Sequence, residues 1–237
     1  MDSCWSSIGK KIVTGITGLS LVMFVITHLA GNLTLLAGAE IFNAYAYFLE
    51  HLMHGIFIYF AEAGLLLLVG AHVVTGINIA LRRGTARDVG YEIQGDAGAP
   101  SQKGVASTTM IISGLILFVF LVIHIIHFKY GPGERAGYVT MVDGHPARDL
   151  YRLVVEEFNK PLPTFGYVFV MLLLGLHLHH GFWSAFQSLG VGSPRLTPVI
   201  RGVGVALAAL LAIGFIAIPL YIYFMVHPPA VSLGGLS

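Results

Sequence analysis

The chain reads as an all-α integral membrane protein with five transmembrane helices. Hydrophobic residues make up 56% of its 237 positions and charged residues only 11%, far from the averages of soluble domains. Five apolar runs reach the roughly 20 residues that cross a bilayer. They are Ile12–Leu36, Ile56–Leu81, Val105–Phe128, Thr164–Phe186 and Val199–Val226. No segment alternates apolar and polar residues as a membrane strand does, so helices must satisfy the backbone within lipid.

Lys10-Lys11 precede the first run, as they would in a signal peptide. The run is too long for a signal core and lacks a small-residue cleavage pattern, so it is expected to be a retained helix. Residues 39–52 carry Ile41, Phe42, Tyr45, Phe48, Leu49 and Leu52 at near-helical spacing, which predicts an amphipathic helix on the outer surface. The polar loop Arg82–Gln102 follows the second run and is expected to be a docking surface for a soluble partner, with an ordinary solvated loop the alternative. Between the third and fourth runs, Lys129–Pro163 is rich in glycine and proline at its ends, with a short helical pattern at Asp149–Phe158. The fifth run is unbroken until Pro219.

Basic residues orient membrane helices. Lys10, Lys11, Arg82, Arg83, Arg87, Lys103, Arg195 and Arg201 fall on one side. Lys129, Arg135, Arg148, Arg152 and Lys160 fall on the other, offset by five acids in the same loop. This bias predicts a cytoplasmic N-terminus and an outer C-terminus.

Cys4 is the only cysteine, which excludes an intrachain disulfide or an iron–sulfur cluster held by this chain alone. Gly202-x-Gly204 lies in an apolar run with no strand before it, so it is not a dinucleotide fingerprint. No segment carries a flavin or nucleic-acid signature.

The chemistry lies in the histidines. Thr17-Gly18, nine residues and His28 are matched by Ser113-Gly114, nine residues and His124. His72-x-x-x-Gly76 is matched by His177-x-x-x-Gly181. Histidine within a bilayer is costly and is by default functional. At about 1.5 Å per residue, His28 and His124 lie about 25–30 Å from the inner basic residues, and His72 and His177 about 15 Å. Depth and repeat therefore select the same pairs: His28 with His124 outside, His72 with His177 inside. Two imidazoles per site, one per helix, among glycines and aromatics, suit a buried b-type haem better than zinc, which gathers more ligands. Gly76 and Gly181, one turn beyond a histidine, would let a flat macrocycle approach, with Gly18 and Gly114 doing the same one layer deeper. Any one of these glycines alone is explained by helix packing.

Two alternates stay open. His127 nearly shares the face of His124. His180 competes with His177 and has Ser184 one turn later. His51, His54, His145 and His227 fall at interfaces or in loops, where solvated histidines are common, although His51 or His54 suits a quinone site. Lys10, Lys11, Arg82 and Arg83 are candidates for propionate contacts, with snorkelling their commoner role. A proton relay or a haem-free transporter is the rival class, and neither accounts for the paired depths.

These motifs, with Ala39-Glu40-x-Phe42-Asn43 running to Glu50 and the sequence Gly181-Phe182-Trp183-Ser184, resemble the diheme cytochrome b anchor of succinate:quinone oxidoreductases and fumarate reductases. The likeness covers nearly the whole chain and is weakest in the long outer loop and C-terminal tail. It implies two haems b, the proximal held by His72 and His177 and the distal by His28 and His124. It implies a flavoprotein and an iron–sulfur subunit on the cytoplasmic face of a bacterial inner membrane, quinone (often menaquinone) as substrate, and a complex that can form a higher oligomer. It also implies a proton-transfer role for Glu50, placed at the level of the outer pair, with Glu62 as the other candidate. Some diheme fumarate reductases carry a glutamate two residues before the fourth-helix ligand, where this chain has Gly175. Diheme subunits of hydrogenases or formate dehydrogenases are the nearest alternative.

Overall fold

The computed structural model describes residues 6–85 and 105–227. The chain is an all-α integral membrane protein: among the described residues, five helices are long and apolar enough to cross a bilayer. They are α1 (Ser7–Leu33), α3 (Ile56–Thr85), α4 (Val105–His124), α6 (Pro161–Ser188) and α7 (Leu196–Met225). Two short helices, α2 (Ala39–His51) and α5 (Leu150–Phe158), lie between them. Residues 86–104, most of the loop expected to dock a partner, and Cys4 lie outside the described residues.

The helix ends follow local chemistry. Ser6 caps α1, its hydroxyl accepting from Gly9 N at 3.0 Å. The helix therefore starts before the lysines. Pro161 opens α6, at the one helical position where a missing N–H costs nothing. Gly38, at φ 102°, separates the end of α1 from α2. Met53, His54 and Gly55 all have positive φ and turn the chain from the surface into α3. After α4 a π-type turn covers Ile125–Lys129.

The long loop folds into a cap. Strands β1 (Val139–Val142) and β2 (His145–Arg148) pair antiparallel across the two-residue turn Asp143-Gly144. Both turn residues have positive φ, which Asp-Gly tolerates best. The sequence pattern does not reveal this hairpin, because strands of four residues are too short to show alternation. Asp149 then caps α5, accepting from Arg152 N at 3.0 Å. The cap is tied to α2 by Asn43, 3% exposed, whose side chain donates to Asp149 Oδ1 and accepts from Tyr151 N, both at 2.9 Å. Asn43→Ala leaves buried groups on α5 unpaired and is expected to cost about 2–3 kcal/mol. Thermal melts and limited proteolysis of the cap in detergent would read this loss, and a wild-type melt would refute it.

In the membrane region α6 is the hub, packing on α1, α4 and α7, while α1 also holds α3. The end of α7 reaches the cap, where Asn159 donates to Val226 O at 3.0 Å. Leu211 at its centre is fully buried. A β-carbon at Gly175 would stand 2.9 Å from Ala212 Cβ, so α6 and α7 approach too closely there for any larger side chain. The glycine at 175 is thus a packing requirement.

Candidate functional site

The outer histidines meet. His28 on α1 and His124, the last residue of α4, have ring centroids 5.8 Å apart and perpendicular planes. Each stacks on a phenylalanine one turn earlier, Phe24 at 5.3 Å and Phe120 at 5.7 Å, as positions four apart on a helix allow. Phe128 lies 5.3 Å from His124, and Phe215 of α7 lies 5.9 Å from His28. The fifth membrane helix therefore contributes a wall to a site that the sequence assigns to the first four. Tyr167 of α6 brings its hydroxyl to 3.2 Å from His124 Nδ1. The only sequence signal for Tyr167 is a polar-tipped aromatic inside an apolar run.

The inner histidines are held differently. His72 Nδ1 lies 3.2 Å from Thr17 Oγ1 across the α1–α3 interface. His177 Nδ1 lies 3.1 Å from Ser113 Oγ across the α4–α6 interface. The hydroxyl–glycine pairs that the sequence links to His28 and His124 by spacing thus touch the other two histidines. A β-carbon on Gly18 would sit 3.2 Å from His72 Cε1, and one on Gly114 would sit 3.2 Å from His177 Cε1. These glycines make room for imidazole rings, which corrects the expectation that they admit a macrocycle directly. Nothing within 4 Å would meet a β-carbon at Gly76, and only Met110 Cε at 3.7 Å would meet one at Gly181. Gly76 thus stands beside open space, and Gly181 beside the end of one flexible side chain. His72 and His180 are the titratable groups within electrostatic reach of His177.

The chain thus contains one two-helix unit built twice, as α1 with α3 and α4 with α6. No family model, curated protein or solved structure matches this chain.

The alternates separate in space. The π-type turn directs His127 toward the cap, where its Nδ1 is 3.8 Å from Glu157 Oε1. It lines a cavity of about 510 Å³ with Tyr138, Glu156, Glu157 and Lys160. His124, by contrast, faces His28. His180 is half-buried one turn from His177, while His179 is exposed. Lys10 is only 1% exposed, so it is turned into the bundle rather than snorkelling. Lys11 is exposed, and Arg201 stacks on Trp183 at 4.3 Å.

The carboxylates lie toward the cap. Glu50 is exposed on the last turn of α2. Burial pulls the Arg148 guanidinium below its ordinary range, and nearby Glu50 opposes that pull. Glu62 of α3 is ion-paired with Lys129. Glu156 sits below the usual carboxylate range: its partial burial acts upward, but hydrogen bonds from Tyr138 and Arg152 outweigh it. His51 stacks on Tyr47 at 3.9 Å, donates through Nδ1 to Tyr47 O at 2.9 Å, and lines a cavity of about 330 Å³ with Phe48, Met53 and Asp143.

Among the described residues no group of three or more His, Cys, Asp or Glu converges as a metal cluster would. Paired imidazoles are what the bundle offers. His28 and His124, walled by phenylalanines, are the residues that would hold a haem at the outer site, and His72 and His177, within electrostatic reach of each other, are those that would hold one at the inner site.

Proposed function

We propose that the chain is the cytochrome b membrane anchor of a succinate:quinone oxidoreductase or fumarate reductase, carrying electrons between an iron–sulfur partner and quinone. The observation that supports this best is the pair of repeated two-helix units, which offer two imidazole couples at two depths. When bound, two b haems supply one-electron transfer across the bilayer. The protein's own part is to hold the imidazoles and exclude water with Phe24, Phe120, Phe128 and Phe215. The flavoprotein and iron–sulfur subunits would dock on the N-terminal side, which the positive-residue bias assigns to the cytoplasm of a bacterial cell.

The test is optical. The complex purified from membranes is expected to contain two haems b per copy of this chain, both low-spin and six-coordinate, in a reduced-minus-oxidised spectrum with haem quantitation. A stoichiometry near one, or a high-spin native spectrum, would overturn the reading. Co-purification of a hydrogenase or formate dehydrogenase subunit, in place of a succinate-oxidising flavoprotein, would move the same electron-transfer role to another respiratory enzyme.

A further inference from the structure

The hydroxyls beside the inner histidines have already committed their protons. Thr17 Oγ1 donates to Val13 O at 2.7 Å, and Ser113 Oγ donates to Met110 O at 3.1 Å. A hydroxyl has a single proton. Toward the imidazoles each oxygen therefore acts as an acceptor, and the matching donor is Nδ1–H of His72 and of His177, with the Thr14 backbone carbonyl a second acceptor beside the His72 ring. This tautomer is assigned from the hydrogen-bond network. It leaves Nε2 of both rings with a free lone pair. Gly18 and Gly114, each next in sequence to the hydroxyl, let the ring come this close. At the outer site the hydroxyl beside His124 is a phenol, Tyr167 Oη, and among the described residues no backbone carbonyl takes its proton as Val13 O and Met110 O take those of Thr17 and Ser113.

We infer that Thr17 and Ser113 are positioning residues that lock His72 and His177 in the Nδ1–H tautomer, present Nε2 to a metal centre, and tune the inner site of the two. The inference rests on the haem reading above. Either residue alone is explained as a membrane-helix threonine or serine that satisfies itself on the preceding turn. The same contact made twice, across two different helix interfaces and to the two equivalent histidines, is what that account leaves unexplained.

An acceptor on Nδ1–H makes an imidazole a more basic ligand and favours the oxidised metal. Removing the acceptor should therefore raise the potential of the inner haem and leave the outer one alone. In a redox titration of the purified complex followed by absorbance, Thr17→Val and Ser113→Ala should each shift the same one of two haem transitions upward by up to tenfold in its equilibrium, about 59 mV for one electron. Thr17→Ser and Ser113→Thr keep the hydroxyl and should restore the wild-type value. Loss of the inner haem in Thr17→Val but not in Thr17→Ser supports the same role. Shifts in both transitions, in neither, or equally in the serine and valine variants would overturn it. Nitrogen-15 NMR of histidine-labelled full-length protein gives a readout that does not depend on haem content. Protonation at Nδ1 of the inner histidines supports the inference, and protonation at Nε2 overturns it. A wild-type complex without haem b would sink the proposed function while this NMR result still decides the tautomer.

Discussion

Replacing His124 by alanine is expected to remove one haem from the complex and leave the other, lowering the stoichiometry from two per chain to one. His127→Ala, three residues away, is expected to keep both. The contrast follows from where the π-type turn sends each ring. His124 sits 5.8 Å from His28 with Phe120 and Phe128 against it, inside the bundle. His127 is directed to Glu157 and the cap cavity. Apart from its partner His28, the rings packed on His124 are Phe120, Phe128 and Tyr167, none of them an imidazole that could replace it, so the loss should be all or none. The inner site supplies a second contrast: His177→Ala should cost the inner haem, and His180→Ala should not, because the Ser113 contact is made by His177. Haem quantitation and the number of transitions in a redox titration read both. Retention of two haems in His124→Ala, or loss of one in His127→Ala or His180→Ala, would show that the repeat had picked the wrong rings.

The five spans are legible in the sequence because lipid leaves a backbone few choices: an apolar run of membrane length must be helical. The ends are less legible. Nothing in composition says that Ser6 would start α1 ahead of two lysines, or that Lys10 would be buried. The amphipathic segment 39–52 is recovered as α2 because its apolar face has a helical period. The cap hairpin is missed although Asp143-Gly144 is a strong turn signal, since strands of four residues are too short to show alternation and Pro146 argues against one. The site shows the same division. Spacing along a chain reveals that Thr17-Gly18 and Ser113-Gly114 are equivalent, but not which neighbouring helix they face. Thr17 and His72 are 55 residues apart, and only packing brings them together. The inward positions of Tyr167 and Phe215 have the same origin.

Glu50→Gln is expected to reduce quinone-linked turnover by about 100-fold, the scale on which a positioned acid or base contributes to a reaction that moves protons. Both haems and succinate oxidation by an artificial dye should be unchanged, because Glu50 is not among the residues whose rings pack on His28 and His124, which are Phe24, Phe120, Phe128, Tyr167 and Phe215. Quinol oxidation releases protons with its electrons, so the reaction needs a group that can pass them to water. Of the two carboxylates the sequence offers, Glu62 is already engaged by the Lys129 ammonium. Glu50 is exposed on the cap side, with Arg148 within electrostatic reach. Exposure is also what an ordinary surface glutamate shows, so turnover kinetics must choose between these roles. Glu50→Asp, which keeps the acid, should retain more activity than Glu50→Gln. Near-normal quinone turnover in Glu50→Gln would return this residue to the surface and shift the proton role to His51, whose Nε2 is left free by the Tyr47 contact beside the smaller cavity.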